Sequence, residues 1–100
     1  MKIEIVDDAK EDLIDGYHFY EQQGPGLGSY FLDSLYADIE ALLLYAGVHR
    51  VVYGSHRRIA KRFPYAIYYR VESDVIRVRA VIDCRRDPAW IRKRLLRGER

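Results

Sequence analysis

The spacing of apolar residues changes once along this chain, and the change limits the folds open to it. Up to residue 46 the apolar side chains recur every three or four positions; from residue 57 they alternate with polar ones. The first period belongs to helices with one buried stripe, the second to half-buried strands. At 100 residues the chain has room for one modest core, and a single domain over residues 1–100 is expected. Helices followed by a run of strands imply the α+β class, with helices packed on one face of a small antiparallel β-sheet.

Residues 2–6 alternate polar and apolar, which predicts a short strand. Asp7 and Asp8 offer an N-cap, and Glu11 stands three residues after Asp8, as in a capping box. A helix over 8–22 follows, with Ala9, Leu13, Tyr17 and Tyr20 at helical spacing. Its acids Asp7, Asp8, Glu11, Asp12 and Asp15 read as a solvated face that suits the helix dipole. Gly24-Pro25-Gly26 ends this helix. A second, over 27–46, carries Leu27, Phe31, Leu35, Ile39, Leu42 and Ala46 on one side. The short link makes the two an antiparallel helical hairpin.

Residues 47–56 read as a loop. A basic strand over 57–63 then places Ile59 and Phe63 on one side. After Pro64, residues 65–71 are rich in β-formers, and Glu72-Ser73-Asp74 makes a hairpin turn. In the strand over 75–83, Ile76, Val78, Ala80 and Ile82 face one way, and Arg77, Arg79 and Asp83 the other. Asp87 followed by Pro88 is an N-cap and a first-turn proline, opening a short basic helix over 89–97. The order is β-α-α-β-β-β-α. The last three strands form an antiparallel meander with the N-terminal strand alongside, and the helical hairpin covers one face. The other face is left to Arg58, Arg62, Arg70, Arg77 and Arg79.

Charge is divided between the halves. Residues 1–47 hold two basic and ten acidic residues, a net of −8; residues 48–100 hold fifteen basic and five acidic, a net of +10. Thirteen of those fifteen are Arg, whose planar fork suits phosphate and carboxylate, so the second half calls for an anionic partner. His18, His49 and His56 are too scattered for a metal site, and Gly24-Pro25-Gly26-Leu27-Gly28 lacks the Lys of a phosphate loop. The lone Cys84 excludes an internal disulfide and a multi-cysteine zinc site. Neither metal nor cofactor is expected. No apolar run approaches the roughly 20 residues of a membrane span, and acids interrupt the N-terminus at once, so no membrane association and a cytoplasmic location are expected.

What remains is a basic, aromatic surface: His56, Arg57, Arg58, Lys61, Arg62, Arg85, Arg86 and Trp90. Cations hold phosphates and rings stack on bases, so such a set can grip nucleic acid. It can also grip an acidic protein. A metal-free ribonuclease could be built from it, with Arg86 stabilising charge at phosphorus and His56 moving the proton. Trp90 taken alone reads as a core plug, and Tyr65, Tyr68 and Tyr69 as sheet packing.

Four stretches in this order carry a resemblance. They are Ala9-Lys10-Glu11-Asp12-Leu13 with Tyr20-Glu21; Pro25-Gly26-Leu27-Gly28 with Phe31; Arg57-Arg58, then Arg62-Phe63-Pro64-Tyr65, Ile67 and Tyr69; and Ile76, Val78, Ala80-Val81, then Arg85-Arg86-Asp87-Pro88 with Trp90. Together they resemble the RelE/ParE toxin superfamily, the plasmid-stabilisation toxins of type II toxin–antitoxin systems. The resemblance implies a toxin held inactive by a cognate antitoxin protein, with operator DNA reached only through that antitoxin. It implies one of two activities: inhibition of DNA gyrase, as in ParE-like members, or metal-independent cleavage of mRNA on the ribosome, as in RelE-like interferases. RelE-like nucleases carry an Arg where this chain has Ala66, and a Tyr in a C-terminal segment that here has none after Arg86. The ParE-like reading is therefore preferred. Arg57, Arg58, Lys61, Arg62, Arg85, Arg86 and Trp90 are its target-binding candidates, and His56 and Arg86 are catalytic only if the chain is a nuclease. An inactive remnant of such a toxin is the further alternative.

Overall fold

The computed structural model describes residues 1–97. Its elements are β1 (Lys2–Ile5), α1 (Asp7–Glu21), α2 (Leu27–Glu40), α3 (Leu42–Tyr45), β2 (Val51–Val52), β3 (Ser55–Ile59), β4 (Tyr65–Glu72), β5 (Val75–Asp83) and α4 (Pro88–Arg97). The strands form one five-stranded sheet in the order β1-β5-β4-β3-β2. β1 lies parallel to β5, and every other neighbouring pair is antiparallel. The α+β class, the helical hairpin, the meander and the flanking N-terminal strand are as the sequence implies.

The chain passes from β1 into α1 without a side-chain cap. Val6 is the N-cap residue, its N–H donating to the Val78 carbonyl and its own carbonyl accepting from Lys10. The expected capping box at Asp8 and Glu11 is therefore not formed, because the strand feeds directly into the helix one residue earlier. Ala9 and Leu13 of α1 are buried against Phe31, Leu35 and Ile39 of α2. The two helices meet at glycines. A Cβ on Gly16 would stand 2.4 Å from the Phe31 ring, and one on Gly28 would stand 2.7 Å from the Tyr17 carbonyl oxygen. Glu21 closes the link: its carboxylate accepts from the Gly26 and Gly28 N–H groups at 3.1 and 2.9 Å. It thereby serves donors at the start of α2 that have no helical partner. The expected single helix over 27–46 breaks at Ala41 into α2 and the one-turn α3. Leu27, expected on the buried stripe, is 37% exposed.

The segment 47–56, expected to be a loop, instead holds β2 and the start of β3. Tyr53 and Gly54 connect them with φ of 50° and 81°. Two positive φ values are the mark of a type I′ hairpin turn, which usually announces itself with Asn or Asp before Gly; Tyr conceals it. The strand expected over 57–63 is Ser55–Ile59. Ile59 is 53% exposed, whereas Phe63 follows the strand and packs on the rings of Tyr20, Tyr30 and Phe31.

β5 carries a bulge that the alternating pattern hides. Tyr68 pairs with Ala80 but Tyr69 pairs with Val78, so Arg79 is the extra residue. Ile76 and Val78 consequently join the core under the helical hairpin, while Ala80 and Ile82 turn to the opposite face. That face is not the polar surface the sequence suggested. Ala66, Tyr68, Ala80 and Ile82 form a second core there, covered by Ile91 and Leu95 of α4. The arginines assigned to it are distributed otherwise. Arg58 is buried on the hairpin side against Asp38, at 3.4 Å. Arg79 reaches under α4, donating to Ser55 Oγ at 2.8 Å and the Leu95 carbonyl at 3.0 Å. Arg77 pairs with Glu4 and Glu72, Arg70 donates to the Gly54 carbonyl, and Arg62 lies exposed beyond β3.

Candidate functional site

Asp87 caps α4 as expected, its Oδ1 accepting from the Ala89 N–H at 3.2 Å. The helix is then fixed by a residue that the sequence placed on a solvated face. Asp12 of α1 receives both terminal nitrogens of Arg94, at 2.9 and 2.7 Å, and also the Val81 N–H at 2.9 Å. Burial works against the Arg94 charge, but the hydrogen bonds and the field of Asp12, with Asp8 and Glu11 beyond, outweigh it and raise the guanidinium pKa. One carboxylate thus ties α1, β5 and α4 together.

The tie holds the turn after β5 and the first turn of α4 beside α1, and a cleft of about 490 Å³ lies between them. Asp15 and Phe19 line it from α1, Tyr65 and Asp83 from the sheet, and Arg86 and Trp90 from the turn and α4. The Arg86 guanidinium lies 3.8 Å from the centroid of the Trp90 ring, a cation–π contact. Trp90 is 37% exposed and Phe19 48%; the tryptophan is not the core plug its isolation in the sequence suggested. Arg85 is held by Asp83 through Nε and Nη2, at 2.9 and 2.7 Å. That hydrogen bond holds the Asp83 carboxyl below its ordinary value, against the opposing effect of burial. Arg86, by contrast, has no carboxylate within salt-bridge distance among the described residues. Burial, and then the neighbouring Tyr20 and Asp83, push the Tyr65 phenol up to about 12. It stays protonated at neutral pH. The cleft is equipped to grip: an unpaired cation spread on an aromatic face, with a second exposed ring opposite.

The remaining candidates lie on β3 and just beyond it. His56 stacks on Tyr69 with ring centroids 5.1 Å apart, and its Nδ1–H donates to the His49 carbonyl at 2.7 Å. Tyr69 Oη in turn accepts from the Gly47 N–H at 3.0 Å and shares a hydrogen bond with His49 Nδ1 at 2.5 Å. Burial first, then the charges of Arg58 and His56, lower the His49 pKa. Arg57 stands opposite Tyr68, Arg58 is committed to Asp38, and Lys61 and Arg62 are exposed. The structure therefore brings Arg85, Arg86 and Trp90 together at one cleft, and His56 does not line it. Sequence reasoning missed Asp15 and Phe19. Phe19 lies off the stripe of Ala9, Leu13, Tyr17 and Tyr20, and an aromatic off the buried stripe is the signal that could have found it. Among the described residues no group of three His, Cys, Asp or Glu side chains could hold a metal ion.

A helical hairpin on one face of a five-stranded sheet, with a short basic helix on the other, defines a small α+β domain class. The pattern that describes the ParE toxin of the type II toxin–antitoxin system parDE matches residues 3–88, and the chain belongs to this family. The matched span includes α1, Arg85 and Arg86 and ends two residues before Trp90. The fold is similar to that of a solved chain described as the chromosomal ParDE TA system from P. aeruginosa. The TM-score is 0.74 at 20% identity, over 83% of this chain and 95% of that one. No curated protein sequence matches. No helix among the described residues is long and apolar enough to cross a membrane.

Proposed function

We propose that the protein is the toxin of a type II toxin–antitoxin pair, acting in the cytoplasm, that arrests growth by binding DNA gyrase and is silenced by a cognate antitoxin. On this reading it has no catalytic centre of its own. The observation that carries it is the Arg86–Trp90 pair: an unpaired guanidinium on a partly exposed indole, facing Phe19 across a cleft. Arg and Trp in a shaped recess are the side chains that most often dominate binding between proteins. Membership of the ParE family supports the toxin role. That His56 does not line this cleft favours binding over RNA cleavage.

Trp90→Ala should weaken target binding by about 2 kcal/mol, roughly thirtyfold, while leaving the fold in place. The test is induced expression of wild type and Trp90→Ala in a bacterial host, following growth and mRNA integrity together. Arrest by the wild type with intact mRNA, relieved in the variant, is expected. Codon-phased mRNA cuts would overturn the reading in favour of an interferase, and normal growth on induction would mark the chain as an inactive remnant.

A further inference from the structure

Residues 41–49 contain no Lys, Arg, Asp or Glu, and they hold the two most exposed large apolar side chains of the described chain. Leu44 is 79% exposed and Val48 74%, with Tyr45 and Leu43 at 52% and 48%. The single turn of α3 accounts for this: it buries Leu42 in the core and turns the next three side chains outward. The segment is fixed in place. The Ala46 N–H donates to the Leu42 carbonyl at 2.8 Å, the Gly47 N–H to Tyr69 Oη at 3.0 Å, and His56 Nδ1 to the His49 carbonyl at 2.7 Å. A surface ordered in advance loses little conformational freedom when it is covered.

The patch has the size of an interface core. At these exposures the four side chains present on the order of 450 Å² of apolar surface, the range in which a patch on a monomer is often functional. A standard protein interface buries about 800 Å² on each partner, somewhat more than half of it apolar. The patch matches that apolar share.

The charges beside it identify the partner. Glu40, the last residue of α2, and Arg50, just before β2, flank the uncharged stretch. Both are exposed, and neither forms an ion pair among the described residues. A partner segment of one charge sign would be attracted on one flank and repelled on the other. A two-fold contact uses the same patch twice, residue i meeting j and j meeting i. A second copy turned about such an axis sets Glu40 against Arg50 on both flanks and apolar side chains against each other between them.

We propose that this face is the contact of a two-fold homodimer, in which the α3 turn and Val48 of one copy pack on those of a second copy. Glu40 of each copy pairs with Arg50 of the other. Side chains make the contact. The Arg86–Trp90 cleft stays open in it, because none of residues 40–50 lines that cleft. One dimer therefore presents two clefts, whatever those clefts bind.

The test is sedimentation velocity on the full chain over a range of concentrations. The wild type should be a dimer at high micromolar concentration and dissociate on dilution. Leu44→Glu should be monomeric throughout, with the circular dichroism spectrum and melting midpoint of the wild type, since so exposed a side chain adds little to the core. Glu40→Arg and Arg50→Glu each set like charges together on both flanks, and each should weaken association at least tenfold. Mixing these two single variants tests the pairing itself. A mixed dimer has opposite charges on both flanks, so it should form at concentrations where neither variant associates alone. A wild type that stays monomeric at every concentration would overturn the proposal and leave the patch to a different protein. A dimer indifferent to Leu44→Glu, or a mixture that associates no better than its components, would overturn it equally.

Discussion

At the scale of single residues, carboxylates and rings that look like surface in the sequence hold the molecule together. Asp12 is the strongest case: it satisfies Val81 N–H and both terminal nitrogens of Arg94, with only 15% and 10% of the two side chains exposed. Asp12→Ala leaves a largely buried guanidinium and a backbone donor without partners, and should lower stability by about 3 kcal/mol. Urea denaturation measures the loss, and faster amide exchange at Ile91 and Leu95 would locate it in α4. His49 makes the fold sensitive to pH. Its folded pKa lies below the ordinary histidine value of 6.5, so the unfolded chain takes up the proton more readily than the folded one. The contribution is complete above pH 6.5 and is lost as pH falls from there through the lowered folded value. Denaturation midpoints should drop between pH 7.5 and 5.5, and drop less in His49→Asn, whose amide can still hydrogen-bond Tyr69. Equal drops in both proteins would remove His49 from this role.

At the scale of elements, most of the architecture was legible because it follows from periodicity and from end signals with a direct mechanism. Phe31, Leu35 and Ile39 lie where a 3.6-residue stripe puts them, and Asp87-Pro88 starts α4 as N-cap chemistry requires. What stayed hidden depends on pairing between distant residues. The bulge at Arg79 arises from the register of β5 against β4, and an unbroken run of alternating apolar residues gives no sign of it. The hairpin at Tyr53-Gly54 lacks the usual turn residue, and the second core exists only because α4 folds back over Ala66, Tyr68 and Ala80. The helical hairpin supplies a sharp test of packing. A methyl group on Gly28 would meet the backbone oxygen of Tyr17 at 2.7 Å, which cannot yield as a side chain can. Gly28→Ala should therefore destabilise by about 2 kcal/mol, overriding the roughly 1 kcal/mol that Ala gains over Gly in a helix. A thermal melt at or above the wild-type midpoint would show that the helices separate freely.

At the scale of the whole molecule, the acidic first half and the basic second half are partly spent on each other. Asp12 with Arg94, Asp38 with Arg58 and Glu4 with Arg77 are all pairs across that division. The charge asymmetry was therefore a partial guide to the site: it marked the basic half, but not which cations remain available. Arg86 and Arg50 do; Arg58, one of the sequence candidates, is bound internally. Trp90 and Arg86 were legible as a pair only through their order after β5, and Phe19 only through α1 being placed beside them. The central claim, that this family member acts by binding gyrase through that cleft, is tested most directly with purified components. Supercoiling of relaxed plasmid by gyrase is followed with increasing wild-type protein and with Arg86→Ala. Inhibition by the wild type, shifted at least tenfold to higher concentration in the variant, is the expected result. Undiminished supercoiling at a large excess of folded wild-type protein would contradict the account.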